Sequence, residues 1–277
     1  MSPIKIYQNT SAFLITLLIW AYFLLGSTVI FLFGHIPAYL FSKNHARAFQ
    51  NLNHINMKNF FALTRFLIPR TKFKIPNEIR QINSSVVVCN HLSYLDPILL
   101  TSIFKRHCTI VKNTFFQVPF FSWLLKNSCY MPSESGESMG QKMVENLENI
   151  KEHLAAGGNF FVFPEGTRSR DGRLAPFNKG VFSIARYCNA PLKMVYIKDT
   201  NKLFQPGTFL FNTRENIEIE VELIGALKPN YKSDNFSISA VADEARNIFE
   251  QRIAGNRKQS MSSGKTENGE PFLSSMP

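Results

Sequence analysis

Hydrophobic residues near the start of the chain form one long run. Residues 6–42 contain no Asp, Glu, Lys or Arg, and residues 12–33 are almost wholly apolar. As a helix, residues 12–33 would extend about 33 Å, which is enough to cross a hydrocarbon core of roughly 30 Å. The run is too long for a cleaved signal peptide, and no small-residue cleavage pattern follows it. We therefore predict a membrane anchor; a re-entrant hairpin bent at Pro37 is the alternative.

Residues 43–68 show a different pattern, with hydrophobic and basic positions on opposite faces of a helix. The apolar face carries Phe49, Leu52, Phe60, Leu63 and Leu67. The opposite face carries Lys43, Arg47, Lys58 and Arg65. This pattern predicts a basic amphipathic helix, which either lies on an anionic membrane surface or packs on a core with its basic side in water. The two interpretations are compatible if the helix packs on the domain at the bilayer surface.

Short apolar runs alternate with helical patterns after residue 84. The predicted strands are 85–89, 108–111, 159–163, 192–197 and 217–223. One predicted helix begins at Pro97, and the others cover 120–125, 138–156, 180–188 and 237–254. We therefore predict an α/β fold, with a mixed, largely parallel sheet flanked by helices and an N-terminal helical membrane-binding segment. Residues 1–70 are assigned to the anchor and amphipathic helix, 71–254 to the α/β domain and 255–277 to a disordered polar tail.

Charge and cysteine usage limit the classes of partner. The chain has 31 Lys and Arg residues against 20 Asp and Glu, a net charge of +11, so its surface should attract phospholipids, anionic bilayers, nucleotides or nucleic acids. The sequence contains no nucleic-acid-binding motif, and we expect no nucleic-acid partner. The four cysteines form no CxxC pair and have no histidine at metal-ligand spacing. We therefore expect no metal site and no disulfide framework.

Two polar loops each follow a predicted strand and precede a helix, which is where α/β sheets place ligand contacts. The first covers residues 90–97 and contains His91 and Asp96. An imidazole can accept a proton from a hydroxyl, and a carboxylate bonded to its other nitrogen fixes the tautomer. The alternative is structural: Asp96 before Pro97 is a good helix cap, and His91 would be a polar turn residue.

The second loop covers residues 163–169 and has the composition of an anion site. Its Glu165, Gly166, Thr167 and Arg168 offer a flexible backbone, a hydroxyl and a guanidinium that matches phosphate geometry. Further basic residues follow at Arg170, Arg173 and Lys179. The alternative is a solvated charged turn, an interpretation that we adopt for Arg170 and Asp171 only.

Two motifs together resemble the glycerolipid acyltransferase family, which includes 1-acyl-sn-glycerol-3-phosphate acyltransferases. They are His-x4-Asp, which begins at His91, and Phe-Pro-Glu-Gly-Thr-Arg-Ser, which covers residues 163–169. The resemblance covers roughly residues 70–225. It implies that His91 and Asp96 form a catalytic dyad. It also implies an acceptor-phosphate site formed by Glu165, Gly166, Thr167 and Arg168. Lys112, in a segment that leads to the family's second motif, and Lys179 complete the candidate substrate-binding residues.

The chain departs from the family pattern at two places. Residues 128–134 read Ser-Cys-Tyr-Met-Pro-Ser-Glu and lack the arginine that the family's second motif normally supplies for the acceptor. In the fourth motif, Met194 stands where a second proline is usual. These departures make the identity of the acceptor less certain than the type of reaction.

The resemblance implies acyl transfer from a thioester to the free hydroxyl of a lysophospholipid, with 1-acyl-sn-glycerol-3-phosphate as the expected acceptor and phosphatidate as the product. His91 would act as general base, and no covalent acyl-enzyme is needed, because the acceptor hydroxyl can attack the thioester directly and Cys89 lies in an apolar strand where a packed thiol is expected. No cofactor is expected beyond acyl-CoA or acyl carrier protein as the thioester. Alternatives are another lysolipid acceptor or a non-catalytic lipid-binding protein on the same fold. The basic excess after the anchor predicts a membrane location with the catalytic domain on the cytoplasmic face.

Overall fold

The computed structural model describes residues 3–133, 140–169 and 173–263, and its N-terminal segment is one continuous run of helix. That run consists of α1 (Pro3–Ala21), a π-helical turn (Tyr22–Gly26), α2 (Ser27–Ile30), a second π-helical turn (Phe31–His35) and α3 (Ile36–Phe41). The stretch Asn9–Phe41, 33 residues with a mean hydropathy of 2.2, is long and apolar enough to cross a membrane by length and composition. The chain stays helical through Pro37 and turns only at residues 42–44, so the alternative of a bend at Pro37 is wrong. Proline is tolerated there because it lies in the first turn of α3, directly after a π-helical turn.

The predicted amphipathic helix is α4 (His45–Leu67). Asn44 caps its start, since the side-chain oxygen accepts the backbone N–H of Arg47 at 2.9 Å. The four predicted basic residues are exposed, but the buried face is more polar than predicted, because Gln50, Asn56 and Thr64 are buried in it. Gln50 donates to the backbone oxygen of Ser128 at 3.1 Å. The helix therefore packs on the α/β domain through specific polar contacts as well as apolar ones.

One sheet of seven strands forms the centre of the domain. The strands are β1 (Thr71–Lys74), β2 (Val86–Cys89), β3 (His107–Lys112), β4 (Met131–Ser133), β5 (Asn159–Val162), β6 (Leu192–Lys198) and β7 (Ile217–Leu227). They lie in the order β1-β7-β6-β2-β5-β3-β4, and every neighbouring pair is parallel except β6 with β7. The predicted fold class is therefore confirmed. β1 and β4 were not predicted, because such short strands carry little periodic signal.

Helices cover both faces of the sheet. Between the strands lie α5 (Asn77–Gln81), α6 (Leu95–Ile103), α7 (Asn113–Phe116), α8 (Pro119–Asn127), α9 (Gly140–Ala155), α10 (Gly180–Tyr187) and α11 (Thr200–Leu203), and α12 (Ile238–Ser263) follows β7. The predicted start of α9 at residues 138–139 lies outside the described residues. The predicted end of α12 at residue 254 was too early, because the helix continues through Gly255 to Ser263. The rest of the predicted tail, residues 264–277, lies outside the described residues.

Alternation along the central strands produces a separate core on each face. Val87, Cys89 and Phe161 belong to a core that α1, α4 and α6 complete, whereas Val86, Val88 and Phe160 belong to a core covered by α9, α10 and α12. All four residues of β2 and of β5 are buried, as expected for parallel strands covered on both faces. β2 lies between β5 and β6 and is parallel to both, so the loops that leave these three strands meet at one edge of the sheet.

Candidate functional site

His91 and Asp96 are hydrogen-bonded in the loop that follows β2. The Nδ1 atom of His91 lies 2.9 Å from Oδ2 of Asp96. The carboxylate is fully buried, while the imidazole retains 16% of its exposure. Because a carboxylate accepts hydrogen bonds, the neutral ring carries its proton on Nδ1 and leaves a lone pair on Nε2. The arrangement places a proton acceptor at the surface with a buried, negatively charged partner behind it.

Asp96 does not act as a helix cap. It lies in the first turn of α6, and the cap position belongs to Tyr94, which makes no side-chain capping bond. The Oδ2 atom of Asp96 instead accepts the backbone N–H groups of Leu92 at 2.6 Å and Ser93 at 2.8 Å, in addition to His91. Its Oδ1 atom accepts the hydroxyl of Thr200 at 2.5 Å. The cap interpretation is therefore wrong for Asp96, because the side chain points back into the loop.

Glu165 joins the two motif loops. Its Oε1 atom accepts the backbone N–H of His91 at 3.0 Å, and its Oε2 atom accepts the backbone N–H of Ala175 at 3.1 Å. Burial raises the pKa of Glu165, although the two backbone donors and His91 oppose the rise. A further bond links Ser169 N to the backbone oxygen of His91 at 2.8 Å. The carboxylate is thus a structural bridge that holds the second loop against the first.

Gly166 allows the second loop to turn. Its φ of +66° lies in the left-handed region, and an added Cβ would meet no atom within 4 Å. The backbone conformation, rather than a lack of space, therefore favours glycine there. Thr167, the next residue, is exposed. The turn leaves its hydroxyl open to solvent on the same loop as Arg168.

Arg168 is held by an aromatic ring from the first loop. Its guanidinium carbon lies 3.4 Å from the centre of the Tyr94 ring. Its Nη1 atom is buried and has no hydrogen-bond partner among the described residues. Phe163, the first residue of this loop, stacks on the His91 ring at 4.3 Å between centroids with an interplanar angle of 23°. The structure therefore brings the His91 loop and the Arg168 loop into contact, as the sequence predicted.

The side chains of the two candidate lysines make no hydrogen bond or ion pair with the two loops among the residues that the structure describes. Lys112 is exposed at the end of β3. Lys179 donates to the hydroxyl of Ser239 at 2.8 Å, on the side of the sheet where α10 and α12 pack. Arg170 lies outside the described residues, and so does Glu134, the last residue of the segment that lacks the family's arginine. Of the predicted substrate-binding residues, the structure thus gathers Glu165, Gly166, Thr167 and Arg168 beside His91.

A family comparison accounts for this combination of fold and motif loops. Residues 70–198 match the model of the family described as Acyltransferase, and this range contains both loops. The matched range also includes β1 to β6, so this part of the α/β domain is similar to that family. The match ends at Lys198, the last residue of β6.

Individual relatives extend the comparison. A chloroplastic 1-acyl-sn-glycerol-3-phosphate acyltransferase of Brassica napus is 32% identical over 58% of this chain and 44% of its own length. The chain thus spans less than half the length of that relative. The 1-acyl-sn-glycerol-3-phosphate acyltransferase of Escherichia coli is 24% identical over 82% of this chain and 89% of its own. The crystal structure of the 1-acyl-sn-glycerophosphate acyltransferase PlsC from Thermotoga maritima shares the fold, with a TM-score of 0.64 and 19% identity over 90% of this chain and 98% of that chain.

Sequence reasoning missed two contacts near the candidate site. Tyr94 was read only as one of the residues between His91 and Asp96, although its ring packs on Arg168. Thr200 was not singled out at all, since it lies 104 residues from Asp96 and belongs to no motif quoted above. Its position just after a buried strand that neighbours β2 was the available signal, because such loops meet at one sheet edge.

Proposed function

We propose that this protein transfers an acyl group from a thioester to the free hydroxyl of a lysophospholipid, with 1-acyl-sn-glycerol-3-phosphate as acceptor and phosphatidate as product. The observation that carries the proposal is the bond between His91 and Asp96, beside a loop that presents Arg168. The names of the relatives support the same reaction and acceptor. The donor is acyl-CoA or acyl carrier protein, and the mechanism requires no other cofactor.

In the proposed mechanism, Nε2 of His91 takes the proton of the acceptor hydroxyl as its oxygen attacks the thioester carbonyl. The tetrahedral intermediate then collapses, the carbon–sulfur bond breaks, and the imidazolium returns its proton to the leaving thiolate. Asp96 stabilises the imidazolium and keeps the proton on Nδ1 throughout. General-base assistance of this kind contributes about 10² to 10⁴ in rate.

Arg168 is the proposed contact for the acceptor phosphate. A guanidinium offers five donors in a fork that fits phosphate, and the buried Nη1 of Arg168 has capacity for such a ligand. Tyr94 holds the group in place, so little side-chain entropy is lost on binding. Exposed Thr167 is positioned to add a hydroxyl donor from the same turn. Without the arginine of the family's second motif, Arg168 carries a larger share of acceptor recognition.

A panel of acceptors tests this proposal. We expect purified protein in mixed micelles to convert radiolabelled acyl-CoA or acyl carrier protein thioester to phosphatidate with lysophosphatidate. Lysophosphatidylcholine, a lyso-aminolipid and glycerol-3-phosphate serve as competing acceptors. Loss of the bidentate contact in an Arg168→Leu variant should lower kcat/KM for lysophosphatidate by about tenfold to several hundredfold. Turnover restricted to acceptors without phosphate would refute the role of Arg168, and binding of lipid without any turnover would favour the non-catalytic alternative.

The apolar N-terminal helix is the proposed membrane contact, and the domain packs along nearly its whole length. Near one end, Thr16 accepts the backbone N–H of Phe211 at 3.1 Å, and near the other, Phe31 packs on Trp123 at 5.5 Å between ring centroids. The stretch Asn9–Phe41 would be about 50 Å long as a helix. If it crossed a bilayer, the charged domain beside it would enter the hydrocarbon, which is costly.

The helix is therefore proposed to lie along the membrane interface, with its outward apolar residues in lipid and the catalytic domain on the cytoplasmic face. The exposed positions on that side include Leu17, Leu18, Leu24, Leu25, Phe33 and Phe41. The excess of basic residues after the helix supports the cytoplasmic face. This location also suits a reaction in which acceptor and product both reside in the bilayer.

Spin-label depth measurements test the interfacial orientation. Nitroxide labels on cysteines at Phe13, Leu25 and Phe41 are expected to report similar, shallow depths in vesicles, measured by collision with oxygen and a nickel chelate. A label at exposed Asp243 on α12 is the matched control and should report no lipid contact. A Leu25 label roughly 15 Å deeper than the other two would instead show a helix that crosses the bilayer.

A further inference from the structure

The end of β6 and the segment after it hold the His91 loop by four hydrogen bonds. Two of them pair Asn90 with the backbone of Ile197: Nδ2 donates to the carbonyl at 2.8 Å and Oδ1 accepts the N–H at 2.7 Å. The Ser93 hydroxyl donates to the backbone oxygen of Phe204 at 2.8 Å. The fourth is the bond from Thr200 to Asp96. Residues 197–204 therefore support the loop on one side, and Glu165 and Ser169 support it on the other.

Among the described residues, Thr200 alone bonds the second oxygen of Asp96. Oδ2 accepts from His91, Leu92 and Ser93, all within the loop, whereas Oδ1 accepts from the Thr200 hydroxyl at 2.5 Å. Both Asp96 and Thr200 are fully buried. A buried carboxylate with an unpaired oxygen is costly, and bonds at both oxygens fix the rotation of the group about its terminal torsion.

The backbone around Thr200 aims its hydroxyl at this point. Asp199 has a φ of +63°, an uncommon left-handed conformation that ends β6 and starts the four-residue helix α11. Lys202 pairs with Asp199 at 3.1 Å and steadies that turn. Beyond α11, Phe204 packs on Trp20 at 5.6 Å between ring centroids. The turn that carries the Thr200 hydroxyl is thus held before it by the Asp199–Lys202 ion pair and after it by the contact of Phe204 with Trp20.

We infer that Thr200 is a positioning residue for the His91–Asp96 pair, acting through Oδ1 of Asp96 to orient the carboxylate that fixes the imidazole. This inference rests on the proposed function and extends it. Thr200 touches neither substrate nor the reacting atoms in this mechanism. Its loss should therefore lower kcat with little change in KM, because the acceptor and donor contacts remain.

The test compares Thr200→Val, which keeps the shape and removes the hydroxyl, with Thr200→Ser, which keeps the hydroxyl. We expect kcat for acyl transfer to fall about tenfold to a hundredfold in Thr200→Val and to stay within about threefold of wild type in Thr200→Ser. Thr71→Val is the matched control, since Thr71 is buried in β1 and its hydroxyl has no partner among the described residues. Thermal unfolding of each variant corrects for any loss of folded protein.

A double-mutant cycle separates positioning from general packing. In an Asp96→Asn background, Thr200→Val should change kcat by less than about threefold, because the carboxylate on which the hydroxyl acts is gone. Equal effects of Thr200→Val in both backgrounds would show a merely structural role. Wild-type kcat in Thr200→Val would overturn the inference directly.

Nuclear magnetic resonance provides a readout that does not depend on turnover. The proton on Nδ1 of His91 should give a downfield signal in wild type, Thr200→Ser and Thr71→Val, and the signal should shift or broaden in Thr200→Val. If wild-type protein transfers no acyl group to any acceptor, the proposed function fails, and this signal still decides whether Thr200 positions the pair. An unchanged signal in Thr200→Val would contradict the inference.

Discussion

Replacement of His91 by alanine is expected to lower kcat for acyl transfer by about two to four orders of magnitude. The imidazole is the group that the structure places at the protein surface with a buried carboxylate bonded to Nδ1, so its removal leaves the acceptor hydroxyl without a base. Lipid binding should persist, because Arg168 is held by Tyr94 rather than by the ring. Initial rates with lysophosphatidate, together with vesicle co-sedimentation, measure the two effects separately.

The matched control for this prediction is His45→Ala. His45 begins α4, where it packs beside Tyr39 at 5.0 Å between ring centroids, well away from the sheet edge that carries the motif loops. We expect its kcat to stay near the wild-type value. Turnover in His91→Ala within about threefold of wild type would contradict the general-base role and leave the reaction without its proposed proton acceptor.

An Asp96→Asn substitution is expected to reduce kcat by about three to four orders of magnitude. Four donors now converge on the carboxylate, from His91, Leu92, Ser93 and Thr200. An amide has one accepting oxygen, so if that oxygen replaces Oδ2, its NH₂ group faces Thr200, whose hydroxyl must turn to accept instead of donate; in the other orientation the NH₂ group faces the three donors of the loop. Loss of the negative charge also removes stabilisation from the imidazolium that forms as the acceptor attacks.

The same change should also destabilise the fold. The charged acceptor of four hydrogen bonds in a fully buried site is lost, which should lower the free energy of unfolding by about 1 to 3 kcal/mol. Chemical denaturation measures the change in the free energy of unfolding, and steady-state kinetics on the folded fraction measures the change in kcat. Asp243→Asn on the exposed face of α12 is the control for the chemistry of the substitution. A variant with wild-type kcat would show that neither the charge nor the tautomer of the pair matters to turnover.

The elements with strong periodicity were predictable from the sequence. β2 and β5 are continuous apolar runs and α9 repeats its apolar residues every three or four positions, so each was placed close to its observed bounds. β1 and β4 were not predicted, because β1 reads Thr-Lys-Phe-Lys with a single apolar residue and β4 has only three residues, including a proline and a serine. The end of α12 was misplaced, since a polar helix and a polar tail have similar composition over residues 255–263.

The local sequence determined which loops carry the chemistry and which residue types they offer: His91 and Asp96 in one, Glu165 to Arg168 in the other. Only the tertiary structure decided how these groups meet. The side chain of Asp96 turns away from the helix start because donors from Leu92, Ser93 and Thr200 surround it, and Thr200 comes from another strand. Lys179, near in sequence to Arg168, bonds Ser239 instead. Sheet order and strand direction set these encounters, and neither property is encoded in the spacing of residues along a single loop.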